Sequence, residues 1–301
     1  MRHERTTISE ERRLAAPTAS LGTGNFAASK LFCCIQSSCI FSIEVGNVET
    51  MFGGFLFISL VILFSVAGLL LVRRYADVEW LKRQHEVASF FFLMIGTLYA
   101  VLIAFAIFVV WTQFQNAGTN LEHEANEVGD LSRMAMAMEE PMRSNVRTAL
   151  IEYIRAVVDD EFPAMAQGRD SKRTWRAVEN LWQVYSDAQP TTLKSQANYE
   201  ESLRHMNDLS NYRRIRLFTS RGTVPSMLWY LLYLGGIVLV VFTYFFGHES
   251  LLSQTLMTAA LAGILAFSIF LIVSYNSPFA GAARVAPTPF QLELQHVMAR
   301  H

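Results

Sequence analysis

The sequence predicts an all-α membrane protein: four transmembrane helices in two antiparallel hairpins, with a helical soluble insert between spans two and three. Three observations carry that expectation. Four apolar runs are free of Asp, Glu, Lys, Arg and His, and each is long enough to cross a bilayer as a helix. The connections inside each pair of runs are short, whereas a long polar stretch separates the pairs. That stretch repeats its apolar residues every three or four positions, as helices that bury one face do.

Composition agrees with this class. The 301 residues are 52% hydrophobic and only 17% charged, little charge for a soluble domain of this size, and mean hydropathy is +0.26. A formal net charge of -1 gives no basic footprint for nucleic acid, so none is expected as a partner. Cys33, Cys34 and Cys39 all precede the first apolar run. They have no matching CxxC pair and no histidine at zinc spacing, and so report neither a metal site nor a disulfide framework.

Residues 1–50 mix Ser, Thr, Ala, Gly and charge without helical or strand period. The charged start at Arg2, Glu4 and Arg5 is not followed by the apolar core and small-residue cleavage site of a signal peptide. Met51 stands immediately before the first span. Residues 1–50 are therefore expected to be a mis-assigned N-terminal extension upstream of the true start, or a disordered tail.

Hairpin 1 is expected over 51–112. Met51–Val72 forms the first span and stops at Arg73-Arg74, and Val87–Thr112 forms the second, with Trp111 at an interface. Hairpin 2 is expected over 223–275. Thr223–Gly247 and Leu251–Tyr275 are its spans, joined through Gly247-His248-Glu249-Ser250. Helices are required because the bilayer offers the backbone no hydrogen-bond partners. With four spans, both termini and the middle segment lie on one side. The charge rule gives no orientation: Arg73, Arg74, Lys82 and Arg83 in the first connection oppose Arg213, Arg214, Arg216 and Arg221 before the third span.

Span two has two stripes. Gly96, Ala100 and Ala104 recur every fourth residue and would let another helix approach closely. Phe91, Leu98 and Phe105 form a bulky stripe on another face. These six residues are the helix-packing or pore candidates, helix packing being the simpler reading. Gly235-Gly236 marks close approach or a bend in span three. The lack of ionisable groups within the spans disfavours proton relays, voltage sensors and coupled pumps. It leaves open a channel lined by backbone, hydroxyls, aromatics and helix ends.

The insert, 113–222, is expected to be a helical bundle. Leu121, Val128, Leu131 and Ala135 continue span two beside Glu122, Glu124 and Glu127. Pro141 fits the first turn of a new helix whose buried stripe is Val146, Leu150, Ile154 and Val157. Phe162-Pro163 and Gly168 would end it. Ser171 would cap a helix with apolar face Trp175, Val178, Trp182 and Tyr185. Pro190 precedes a last helix carrying Leu203, Met206, Leu209 and Phe218 toward span three.

Chemistry is sparse. His123-Glu124 lacks the second histidine of a zinc-protease motif, and there is no Walker loop or dinucleotide fingerprint. Asp159-Asp160-Glu161 lacks EF-hand spacing and reads as a solvated helix end. Arg213, Arg214 and Arg216 could meet lipid phosphate, form a solvated face, or balance the acidic early helix. No catalytic residue, metal or cofactor is expected, and a membrane enzyme is the least favoured class. The residues after span four, 276–301, are expected to be a C-terminal tail, with Pro278 ending the helix and Gly281 permitting a turn.

Several short segments carry a resemblance: Leu98-Tyr99-Ala100-Val101-Leu102-Ile103-Ala104-Phe105, Glu124-Ala125-Asn126, Pro225 with Leu228-Trp229, and Ser277-Pro278-Phe279-Ala280-Gly281. As a set they resemble the bacterial bestrophin-like domain family over about residues 51–295. The resemblance marks Tyr99, Glu124, Ala125, Pro225, Trp229, Pro278, Phe279 and Gly281 as family-motif positions. Through that family's similarity to bestrophins, it implies a homo-oligomeric anion channel with four membrane helices and a large cytosolic helical region. The expected partners are then the lipid bilayer, further copies of the chain, and ions. The expected location is a cell membrane, multi-pass, in the bacterial inner membrane. It would make the insert cytoplasmic, against the arginines of the first connection. A membrane-anchored scaffold that binds a partner through the insert is the alternative function.

Overall fold

The computed structural model describes residues 51–75, 78–222, 224–246, 250–281 and 283–299. The expectation for residues 1–50 and most of the connection between spans three and four lie outside the described residues. The described chain is all helical. Its elements are α1 (Met51–Tyr75), α2 (Val78–Ala135), α3 (Met142–Ala156), a π-helical turn (Val157–Glu161), α4 (Phe162–Met165), α5 (Lys172–Ser186), α6 (Leu193–Thr219), α7 (Ser226–Tyr244), α8 (Leu251–Asn276) and α9 (Thr288–Ala299). Four of them, α1, α2, α7 and α8, are long and apolar enough to cross a membrane.

The second apolar run does not stop at the membrane. No proline interrupts residues 78–135, and α2 runs for 58 residues, roughly 87 Å at 1.5 Å per residue. That is nearly three times the roughly 30 Å hydrocarbon core. One rod therefore carries the apolar face Tyr99, Ile103, Ala106 and Val110 and, further on, the face Ala117, Leu121, Ala125, Val128 and Leu131, all buried.

The membrane-type helices meet through small residues and hydroxyls. Α1 lies chiefly against α8, where Gly54 receives the Phe270 ring. The Tyr244 hydroxyl of α7 donates to the Ser65 carbonyl of α1 at 2.9 Å. Gln254 Nε2 donates to the Thr243 carbonyl at 3.1 Å, tying α8 to α7. The Tyr275 ring at the end of α8 meets Trp111 and Phe114 of α2, each with centroids 5.2 Å apart. Most of the remaining apolar surface of these helices is open in the single chain: Phe52, Phe55, Phe64, Phe90 and Leu252 are all exposed.

The second core lies among the extension of α2, α3, α5, α6 and α9. Pro141 stands at the cap of α3 rather than inside its first turn, and its carbonyl accepts from Asn145 N at 3.1 Å. Val146, Leu150, Ile154 and Val157 are buried as their spacing predicts. Phe162-Pro163 does not end this helix. The backbone widens through the π-helical turn, where Phe162 N–H donates to the Val157 carbonyl, and then continues to Met165. Gly168, at φ 66, makes the stop.

Ser171 caps α5, accepting from Thr174 N at 3.2 Å. The buried face of α5 is Thr174, Ala177, Val178, Leu181 and Tyr185, so Trp175 stands outside it, 49% exposed. Thr192 and Ser195 cap α6 reciprocally. Of the expected α6 face, Met206 and Leu209 are buried but Phe218 is exposed, and the buried stripe continues instead through Arg213 and Arg216. The segment expected as a C-terminal tail carries a further helix, α9, whose Phe290 and Val297 are fully buried in this core. Arg147 fastens its end by donating to the Val297 and Met298 carbonyls at 3.3 and 3.0 Å.

Candidate functional site

Two regions of α2 concentrate the candidate residues. The first is its membrane portion. Phe91, Leu98 and Phe105 are exposed in the single chain, at 48%, 71% and 64%. Ala100 and Ala104 are exposed as well, while Gly96 is half-buried and turned toward Leu239 of α7, 3.7 Å from where a Cβ would stand. The small-residue stripe therefore does not seat a helix of the same chain along its length. The face that does pack inward is Tyr99 and Ile103. Tyr99 donates its hydroxyl to the Leu232 carbonyl of α7 and lays its ring on Gly235. A Cβ at Gly235 would come within 2.4 Å of that ring. Trp229, half-buried, stacks on Tyr233 with centroids 5.8 Å apart. Pro225 sets the start of α7, its carbonyl accepting from Leu228 N at 3.0 Å.

The second region begins at Glu124, 19 residues beyond Phe105 and thus roughly 28 Å further along the helix. Glu124 is fully buried, beside buried Ala125. Its carboxylate accepts two hydrogen bonds from Arg216: Nε to Oε2 at 2.6 Å and Nη2 to Oε1 at 2.9 Å. The Tyr153 hydroxyl of α3 donates to the same Oε1. Arg216 Nη2 also reaches Glu161 Oε2 at 2.6 Å, and Arg213 Nη2 reaches Glu161 Oε1 at 2.6 Å. Two carboxylates and two guanidiniums thus form a formally neutral cluster inside the protein.

Each member is placed by local structure. The π-helical turn brings Glu161, its last residue, inward; such turns are frequent at functional sites. Thr174 holds the entrance of the turn by donating to the Ala156 carbonyl at 2.9 Å. Arg213 and Arg216 sit three residues apart on the register set by Met206 and Leu209, which carries both inward. Aromatic rings complete the shell. The Arg213 guanidinium lies 4.4 Å from the Trp175 ring centre, and that of Arg216 lies 5.6 Å from the Phe162 ring centre. Phe279, buried, meets Phe162 edge-on at 5.7 Å. The turn that delivers Phe279 is made by Pro278, whose carbonyl accepts from Val285 N at 2.8 Å, and by Gly281 at φ 74.

The electrostatics follow from burial and pairing. Burial alone would lower the Arg216 affinity for its proton, but Glu124 and Glu161 outweigh it and hold the guanidinium well above its ordinary range. The Tyr153 phenol is pushed well up, first by burial and then by the neighbouring Glu124 charge. Every Glu124 and Glu161 oxygen is engaged and no nucleophile stands among them. The cluster ties together α2, the π-helical turn and α6. Sequence reasoning marked Glu124 and Phe279, missed Tyr153, and read Glu161 as part of a solvated helix end, whereas it is fully buried. Of its three readings for the arginines, lipid contact, solvated face or balance to the acidic early helix, Arg216 meets the last at Glu124. The available signal was the register of Arg213 and Arg216 with Met206 and Leu209.

These features define a polytopic, all-helical membrane protein whose long second helix joins the bilayer to a polar helical core. The family is shown by sequence as well: the Bestrophin-like domain matches residues 59–290, and the chain belongs to that family. Its fold is similar to the crystal structure of a bacterial bestrophin homologue from Klebsiella pneumoniae, a point mutant. That likeness has a TM-score of 0.60 and 11% identity, covering 80% of this chain and 99% of the other. A second crystal structure, of a mutant membrane protein, gives 0.59 and 12% identity, covering 80% and 97%. No curated protein matches the sequence. The chain is a membrane-embedded member of the bestrophin-like domain family.

Proposed function

We propose that the protein is a homo-oligomeric, anion-permeable channel of the bacterial inner membrane. In this reading α1 with the membrane part of α2, and α7 with α8, cross the bilayer as two antiparallel pairs, and residues 113–222 form the cytoplasmic part. Phe91, Leu98 and Phe105, with Gly96, Ala100 and Ala104, supply the surfaces at which subunits meet and the pore is lined.

The observation that carries the reading is the open apolar face of α2. Leu98, Val101, Phe105 and Phe108 are all exposed, although they belong to a helix whose other face is firmly packed. An apolar face of this extent calls for lipid, another subunit, or a dewetting constriction. Family membership favours the last two, since bestrophins are channels assembled from several subunits. The spans contribute no Asp, Glu, Lys, Arg or His that would bind a permeating ion tightly.

The test is ion flux. Purified, monodisperse protein reconstituted in liposomes under a salt gradient is expected to pass ions selectively, and crosslinking in native membranes is expected to give a ladder of one subunit type. Folded protein that passes no ion across varied pH, calcium and voltage contradicts the proposal, and a stable hetero-partner in the crosslinks favours the scaffold reading.

A further inference from the structure

We propose that Glu127, Asp130 and His205 form a binding site for a divalent transition-metal ion, of which Zn2+ is the natural probe. One ligand atom from each lies within 4.8 Å of the other two. The three come from two packed helices. Glu127 and Asp130 are three residues apart and share one face of α2, and His205 faces them from α6, 78 positions beyond Glu127.

The geometry is directional. His205 Nδ1 lies 2.6 Å from Glu127 Oε2, so this nitrogen points at the carboxylate pair. The opposite nitrogen, Nε2, lies 3.9 Å from Glu201 Oε1, one helical turn before it on α6. Without a metal the 2.6 Å contact places a proton on Nδ1, since a carboxylate only accepts; a bound ion would take the place of that proton, with the remaining ring proton on Nε2 toward Glu201. Ligand atoms bound at about 2.0–2.2 Å to one ion lie roughly 3–4 Å apart. The observed spacing therefore needs only small side-chain rotations to close. Asp130 is also engaged by Arg133 through Oδ1, which leaves Oδ2 for coordination.

Donor chemistry selects the class of ion. One imidazole and two carboxylates suit borderline divalent metals, Zn2+ foremost, better than calcium or magnesium, which take oxygen ligands throughout. All three side chains are partly buried, so an ion would keep one or more water ligands. It would clamp the extension of the second span to the helix that leads into the third. The competing account is a plain His205–Glu127 hydrogen bond, which binds no metal.

Calorimetric titration of the full chain in detergent, tag removed, with Zn2+ decides between them. The site predicts saturable micromolar or tighter binding, weakened at least about tenfold by His205→Gln and by Asp130→Asn. His296→Gln, which alters a separate histidine paired with Glu293, is expected to leave binding unchanged. Zn2+ should also raise the melting temperature of the wild type and of H296Q but not of H205Q. Should H205Q fail to fold, the more exposed D130N and the wild-type titration still decide. Absence of saturable binding by folded wild type overturns the proposal, as does binding that neither H205Q nor D130N weakens. None of these readouts depends on ion flux.

Discussion

Arg216 grips Glu124 with two nitrogens, Nε at 2.6 Å and Nη2 at 2.9 Å, across 92 positions of sequence, and neither side chain touches solvent. The pair ties the extension of the second membrane helix to the helix that enters the third. Removing two charges from water is costly, and their attraction offsets that cost only while both partners remain. Arg216→Leu leaves Glu124 with no cation and Glu161 with Arg213 alone. It is expected to destabilise the protein by about 3–5 kcal/mol, read as a lowered midpoint in denaturant unfolding of detergent-solubilised protein. An unchanged midpoint would mean that the cluster is not formed.

Tyr153 offers a gentler probe. Its hydroxyl donates to Glu124 inside the core, so Tyr153→Phe leaves one charged acceptor short of a donor and is expected to cost about 1–3 kcal/mol. The same residue carries a pH dependence. In the unfolded chain its phenol ionises near its ordinary value of 10.0, whereas in the folded protein burial and Glu124 hold that ionisation well above it. Its contribution is therefore fully present below about pH 10 and falls as the pH rises further, because only the unfolded state can release the proton. Stability measured from pH 9 to 11 should decline less steeply in the Phe variant than in wild type.

Gly235 tests the packing between α2 and α7. A methyl group there would sit 2.4 Å from the Tyr99 ring, whose hydroxyl is already held by the Leu232 carbonyl. Gly235→Ala is expected to destabilise by about 1–3 kcal/mol. Combining it with Tyr99→Leu should cost less than the sum of the two changes, since the smaller side chain removes the overlap. Full additivity in the unfolding free energies would argue against this contact.

The open face of α2 predicts a separation of effects. Ala104 and Phe105 are exposed in the single chain, so Ala104→Trp and Phe105→Ala should alter its stability by no more than about 0.5 kcal/mol. Under the channel reading they should nonetheless change conductance or subunit assembly, measured by flux and by native mass spectrometry. Variants neutral in both assays would assign this face to lipid.

Much of this architecture is legible in the sequence, for physical reasons that also explain what is not. The spans stand out because a bilayer forbids charge over some twenty residues. The stripe Leu121, Val128, Leu131 and Ala135 and the Ser171 cap depend only on local periodicity and local hydrogen bonds. The ion cluster depends on partners 52 to 92 positions apart, and an arginine on a polar helix looks the same whether it meets solvent or a buried glutamate. Asp159-Asp160-Glu161 illustrates the point: one extra residue in the backbone turn sends Glu161 into the core and leaves Asp160 outside with Arg173. The chief contact of α1 with α8 likewise joins the two ends of the membrane region. Helix α9 was readable, since Phe290, Leu294 and Val297 follow helical spacing.

The channel assignment is tested most directly by recording from the purified protein in a planar lipid bilayer under a potassium chloride gradient. The account predicts discrete conductance steps with a reversal potential displaced toward the chloride equilibrium potential. A folded, oligomeric sample that never conducts, or one that reverses at the potassium equilibrium potential, would contradict it.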